Sequence, residues 1–215
     1  MTNVRRGGTR GKGAGGSQGK VAATREQLLH ATVALMAELG IDRVRTRSIA
    51  ERAGVNPALV HYHFGSVSAL VLEAAQDALL RTLGPSLEAF QSGATLGDSI
   101  RAILRWIDRY GGTTPGSTIL AEAMVKATRN PAFRKWATQA SRRFRSIIED
   151  RLRAARRAGE LDPGLDPRAT AMLLAAALDG LLFHRLVDPR LDVMQAAAPL
   201  EALVTGARRR NARRG

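Results

Sequence analysis

Cysteine is absent from the 215 residues, which excludes disulfides, thiolate catalysis and cysteine-held metal sites. Aromatic residues make up only 4%, too few for an aromatic-rich multidrug pocket. No window approaches the roughly 20 uncharged apolar residues that span a bilayer, and no secretory apolar core opens the chain. A soluble, cytoplasmic protein without a membrane partner is therefore expected. No segment alternates like a β-strand, and no internal repeat is visible. Paired carboxylates, a nucleophile–base set and metal-ligand spacing are all missing, so neither an enzyme nor a cofactor is expected. What is present is 45% hydrophobic residues, enough for a real core in one large or two small domains, and a net charge of +14.

That charge is uneven. Residues 1–65 hold ten Lys/Arg against four acids, residues 66–206 hold eighteen against fifteen, and residues 207–215 add five arginines with no acid. A near-neutral body with basic ends suggests a polyanionic partner. In residues 1–23, glycines interleave with Arg5, Arg6, Arg10, Lys12 and Lys20, and this stretch is expected to be a disordered basic arm. Gly11, Gly13 and Gly16 match a dinucleotide-binding spacing, but no strand is expected before them and no helix is expected to open there. Gly19-Lys20 is no phosphate loop, because Val21 stands where Ser or Thr is required. The tail 207–215 is likewise expected to be disordered.

Everything else is patterned as helix. Thr24 and Gln27 form a capping-box pattern ahead of a helix that ends at Gly40. Ser66 can cap a helix carrying Val67, Leu70, Val71, Ala74 and Ala78, expected to stop at Gly84-Pro85. Further helices are predicted over Leu96–Tyr110, from Thr114-Pro115, from Asn130-Pro131 to Gly159, from Asp166-Pro167, and around Asp192–Arg208, the last kinked or started late by Pro199.

Between the first two lies Thr46–Phe64, TRSIAERAGVNPALVHYHF. Ile49, Ala50 and Ala53 form a narrow apolar stripe on one short helix, and Gly54 suits the positive φ of a tight turn. Asn56 can cap a second short helix, with Pro57 near its start. Two short helices around a glycine turn form either a helix-turn-helix, whose second helix enters a DNA major groove N-terminus first, or an ordinary αα-corner.

Over about Thr24–Leu80 the chain resembles the TetR family of bacterial transcriptional regulators. The segments carrying the resemblance are GIDRVRTRSIAERAGV and NPALVHYHFGSVSALVLEA. The resemblance implies an all-α fold of about nine helices: a three-helix DNA-binding domain, 24–65, and a larger helical effector-binding and dimerisation domain, 66–206, entered through a linking helix, 66–84. It implies a homodimer, double-stranded DNA and a small-molecule effector as partners, and nucleoid association when DNA-bound. Two positions depart from the family pattern. Arg45 stands where a Ser/Thr cap is usual, and Val67-Ser68 where Lys-Glu is common; Arg45 and Arg47 are candidates to supply the phosphate charge instead.

Transferred position by position, Asn56, Pro57, Ala58 and His61 fall on base-facing slots, and Thr46, Arg47, Tyr62 and His63 on phosphate-facing ones. The chemistry agrees: Pro57 and Ala58 are small enough to approach a thymine methyl, and His61 can donate or accept. His63 has a second reading, as a core-edge histidine. His61 and His63 do not suit a metal, because i, i+2 puts them on different sides of a helix. Ala171, Leu174, Ala175, Leu178, Leu181 and Leu182 form an apolar stripe assigned to a two-fold four-helix interface, or else to the chain's own core. By the resemblance, Trp106, Tyr110, Met124, Phe133, Trp136, Phe144, Met172 and Phe183 are candidates for an effector pocket, about half of them being plain core. The function expected is a ligand-responsive homodimeric repressor on an inverted repeat. The alternative is a non-specific nucleic-acid-coating protein driven by the basic tails.

Overall fold

The computed structural model describes residues 14–111 and 114–206, with side chains from residue 19 onward. Among them every regular element is a helix: α1 (Ala14–Leu39), α2 (Thr46–Ala53), α3 (Ala58–Phe64), α4 (Val67–Ser92), α5 (Leu96–Tyr110), α6 (Pro115–Ala127), α7 (Pro131–Arg157), α8 (Pro167–Val187) and α9 (Ala197–Thr205). Short 3-10 turns, Ile41–Arg43 and Val193–Ala196, precede α2 and α9.

Most joints are closed by the local chemistry that the sequence displays. Thr95, Thr114, Asn130 and Asp166 each accept a backbone N–H of the helix they open, with proline following in the last three cases. An oxygen side chain here satisfies a donor that the first turn leaves without a partner, and proline has no such donor to lose.

Three boundaries differ from expectation. Helix α1 begins at Ala14, so residues 14–23 are helical rather than a disordered arm; residues 1–13 lie outside the described residues. Thr24 caps nothing, and its hydroxyl donates back to the Lys20 carbonyl at 3.0 Å. Once the packed part of α1 exists, adding turns at its N-terminus needs no new nucleus, and Ala22 and Ala23 favour it, while Gly15, Gly16 and Gly19 weigh against it. Helix α4 does not stop at Gly84-Pro85 but runs to Ser92 with Pro85 inside it. Proline costs a helix interior about 3 kcal/mol. The turn beyond it buries Ser86 and all of Phe90, and burial of a phenylalanine alone contributes roughly 1.5–3 kcal/mol. Helix α9 starts at Ala197 after its 3-10 turn, leaving Pro199 in the first turn, where its missing N–H is harmless. The 207–215 tail lies outside the described residues.

The helices enclose two apolar cores. The first joins Leu28, Leu35 and Met36 of α1, Ile49 of α2, Val60 of α3 and Leu70, Val71 and Ala74 of α4. It also takes in Ile119, Ala123 and Ala127 of α6 and Phe133 and Ala137 of α7. The second joins Phe90 of α4 to Leu96–Ile107 on α5, Ile148 and Leu152 on α7, the inward stripe of α8 and Val204 of α9. Helices α4 and α7 run through both cores and tie the halves together. By length and composition α8 is apolar enough to cross a membrane, contrary to the expectation that no segment is. Its stripe Ala171, Leu174, Ala175, Leu178 and Leu182 is buried in the second core, the place of an inner helix.

Candidate nucleic-acid interface

Helix α2 ends where Gly54 turns left-handed, φ 66° and ψ 32°. Its N–H reaches Ala50 O and Glu51 O, and the Val55 N–H donates to Ala50 O at 3.0 Å. This paired closure satisfies the Ala50 and Glu51 carbonyls of the last turn, and only glycine adopts the angle without steric cost. Val55 packs against the first core, setting the elbow. The Asn56 Oδ1 then accepts the Ala58 N–H at 2.8 Å, so Asn56 caps α3 although the regular helix begins at Ala58. Gly65, with φ 73°, closes α3 through its N–H to His61 O. Ser66 at once caps α4, its Oγ accepting the Ala69 N–H at 3.1 Å.

One side of α3 is fixed inward by the fully buried Val60. That leaves Asn56, Pro57, Ala58, His61 and Tyr62 exposed, Tyr62 at 73%. His63 is half-buried, its ring edge-on to Tyr62 with centroids 5.0 Å apart. His61 Nδ1 lies 3.2 Å from Gly65 O, which orients the ring along the helix. Arg47 is exposed and Thr46 half-buried at the start of α2. Arg45 is exposed too, but its guanidinium is folded onto the carbonyls of Asp42 (2.6 Å) and Val44 (3.1 Å). An arginine has no acceptor and cannot cap. Ser48 serves instead, its hydroxyl accepting the Arg45 N–H at 3.3 Å and donating to Arg45 O at 2.8 Å.

Four supporting residues carry no signal in the sequence. Arg25 of α1 lies over the Phe64 ring, 4.9 Å from its centroid, and is ion-paired with Glu73 of α4. Arg52 of α2 grips Glu38 of α1 with both terminal nitrogens, at 2.5 and 2.7 Å. From α6, Glu122 accepts the Ile41 N–H at 2.7 Å, and Lys126 is ion-paired with Asp42. These pairings span 14 to 84 residues, so no periodicity or short motif could have pointed to them.

The effector-pocket candidates do not converge on one cavity. Phe133 belongs to the first core and Trp106 to the second. Trp136 and Phe144 are half-buried against separate cores, Tyr110 is partly exposed, and Met172 and Phe183 are exposed. Met124 alone among them lines the open groove of about 370 Å³ between α6 and α7, with Thr128, Arg134, Thr138, Ser141 and Arg145. The interface stripe is also displaced. Ala171, Leu174, Ala175, Leu178 and Leu182 are buried within the chain and Leu181 packs against the same core, so they are not free for a second copy. The stripe reads the same to a second copy as to the chain's own α5 and α7, and here the latter cover it. Among the described residues no group of three or more His, Asp or Glu could hold a metal.

The chain matches two family models. Residues 28–74 match the bacterial regulatory proteins of the tetR family, and residues 97–209 match the C-terminal part of BetI-type transcriptional repressors. The chain belongs to the TetR family of bacterial transcriptional regulators. It is a DNA-binding transcription regulator and not an enzyme. The HTH-type transcriptional regulator BetI of Rhizobium meliloti (strain 1021) is 28% identical over 162 residues, 75% of this chain and 77% of that one. A transcriptional regulator of Streptomyces coelicolor A3(2) superposes with a TM-score of 0.68 at 28% identity, over 85% of this chain and 98% of that one. A transcriptional regulator of Saccharomonospora viridis, solved in complex with choline, shares the fold with a TM-score of 0.70 at 23% identity, over 83% and 94%.

Proposed function

We propose that this TetR-family chain is a homodimeric repressor that holds an inverted-repeat operator and releases it when a small-molecule effector enters its C-terminal helices. The observation that carries this reading is the blunt, exposed start of α3, joined by two residues to a helix that runs on into the body. Pro57 and Ala58 let that tip approach base edges, His61 reads one of them, and Thr46, Arg47, Tyr62 and His63 meet phosphates. Arg45 adds charge beside them while its guanidinium stays on the preceding turn.

The second copy docks on the side of α8 that the core leaves open, where Met172, Leu173, Phe183 and Val187 are exposed, together with Leu203 of α9. An apolar strip of this kind on two neighbouring helices suits a two-fold four-helix contact. The two recognition helices then stand about one DNA turn apart, ~34 Å. The choline complex of the Saccharomonospora viridis regulator supports a small molecule as the effector class. To swing operator occupancy from 99:1 to 1:99 the effector must favour the released form by about 5.5 kcal/mol.

Selection of duplexes from a random library, followed by footprinting, tests the reading. A self-complementary sequence with half-sites one turn apart is expected. Enrichment of no sequence, with affinity lost on deleting residues 1–13 and 207–215, would instead make the protein a basic-tail coating protein.

A further inference from the structure

The C-terminal end of α6 is held by an arginine from the helix that follows. Arg134, in the first turn of α7, donates from Nε to Ala127 O at 3.1 Å and from a terminal nitrogen to Thr128 O at 2.5 Å. The same side chain forms one wall of the groove between α6 and α7. Positions 134, 138, 141 and 145 follow at i, i+4, i+7 and i+11, so Arg134, Thr138, Ser141 and Arg145 share one face of α7. Arg145 spends one N–H on Ser141 Oγ, at 2.8 Å. A guanidinium has five N–H donors, so both arginines keep some for a ligand.

No carboxylate and no aromatic ring lines this groove. Asp179 of α8 is the acid that feels Arg145: crowding by protein atoms raises its pKa, and the Arg145 charge acts against the rise. It does not line the groove.

We infer that the groove binds a small organic anion, a carboxylate or phosphate ester on an apolar body, and rejects choline-like cations. Arg145 and the hydroxyls of Thr138 and Ser141 meet the anionic group, joined by Arg134 when it swings off the Ala127 and Thr128 carbonyls, and Met124 and Ala137 meet the apolar body. A quaternary ammonium would find two positive charges and neither of the partners that recognise it, an aromatic face or a carboxylate.

Binding also bears on DNA. An anion that recruits Arg134 competes with the Ala127 and Thr128 carbonyls, which are the end of α6. The turns just before carry Lys126, paired with Asp42, and Glu122, bonded to the Ile41 N–H. Occupancy therefore loosens the hold of α6 on the turn that leads into α2. This regulatory half rests on the repressor reading above; the binding itself does not.

Calorimetric titration of the full-length protein, without DNA, separates the possibilities, using benzoate, phenyl phosphate, neutral benzyl alcohol and choline. At least one anion should bind tenfold or more tightly than benzyl alcohol, and choline should give no binding. Arg145→Gln should weaken anion binding at least tenfold with Tm unchanged, and Arg145→Lys should recover part of it. Arg134→Gln should weaken it too, with a lowered Tm because the α6 end loses its cap. Anions no better than benzyl alcohol, unchanged binding by Arg145→Gln, or choline binding in the same groove would overturn the inference. A gel shift on the selected duplex then tests regulation. An anion that binds and leaves the DNA complex intact overturns the regulatory half, whereas failure to select any symmetric duplex defeats the repressor reading and leaves the titration result standing.

Discussion

His61 and Glu38 show two different uses of an exposed side chain. His61 takes part in no core, and its contact with Gly65 O only orients the ring. His61→Ala should leave Tm where it is. A lost base contact is worth about 1–3 kcal/mol, so affinity for the selected duplex should fall roughly 5- to 150-fold while non-specific binding holds, as fluorescence anisotropy would report. Glu38 works inside the molecule. The hydrogen bonds from Arg52 hold the Glu38 carboxyl below its ordinary value, opposed by a lesser effect of burial and aided by the still smaller one of the arginine's charge. A carboxylate depressed in the folded state stabilises it above the unfolded pKa, near 4.5, and that stability is lost as pH falls through the lower folded value. The Tm difference between wild type and Glu38→Gln should therefore be present at pH 7 and shrink to nothing in acid. A difference that stays constant with pH would show that the pair contributes no charge-dependent stability.

At the scale of elements, α6 lies beyond the DNA-binding helices in sequence yet packs into the core beneath them. Its inward residues Ile119, Ala123 and Ala127 lie in the core that supports the recognition helix, and Glu122 and Lys126 reach over to the Ile41–Arg43 turn. Removing the carboxylate leaves the Ile41 N–H without its partner, which costs about 1–3 kcal/mol where water cannot replace it. Glu122→Ala should lower stability by about that amount in urea melts. It should also speed hydrogen exchange at Ile41 before it does so in α8; equal changes throughout would mean that the bond does not hold this turn locally. The caps of α5 to α8 could be read from neighbouring residues because a cap is a contact within three positions. The passage of α4 through Pro85 could not, because it follows from the burial of Phe90 against elements remote in the chain.

For the molecule as a whole, the proposed two-fold contact through the open side of α8 is testable at Leu173. Leu173 is 63% exposed. Leu173→Glu would set a charge against its two-fold mate, so sedimentation should shift from dimer to monomer with helicity unchanged and affinity for the symmetric duplex sharply reduced. A variant that still sediments as a dimer would place the interface elsewhere. The α8 stripe illustrates why one chain cannot settle this from its pattern. Small residues beside leucines at helical spacing suit a helix of the same chain as well as one of another. The expectation took the stripe for the second copy, and α5 and α7 cover it instead. The effector candidates scattered for a related reason: large apolar side chains fill cores and line cavities alike, and only packing distinguishes the two.

Local physics was enough to determine that the chain is helical, the caps of α4 to α8, the glycine elbow at Gly54, the exposure of the α3 tip and the family, since each depends on residues within a few positions of one another. Tertiary structure alone decided how far α1 and α4 extend, which side of α8 is left open, and that Glu122 and Arg134 bracket α6. These depend on burial and pairing between residues far apart in sequence, where periodicity shows that a face is apolar or charged but not what will meet it.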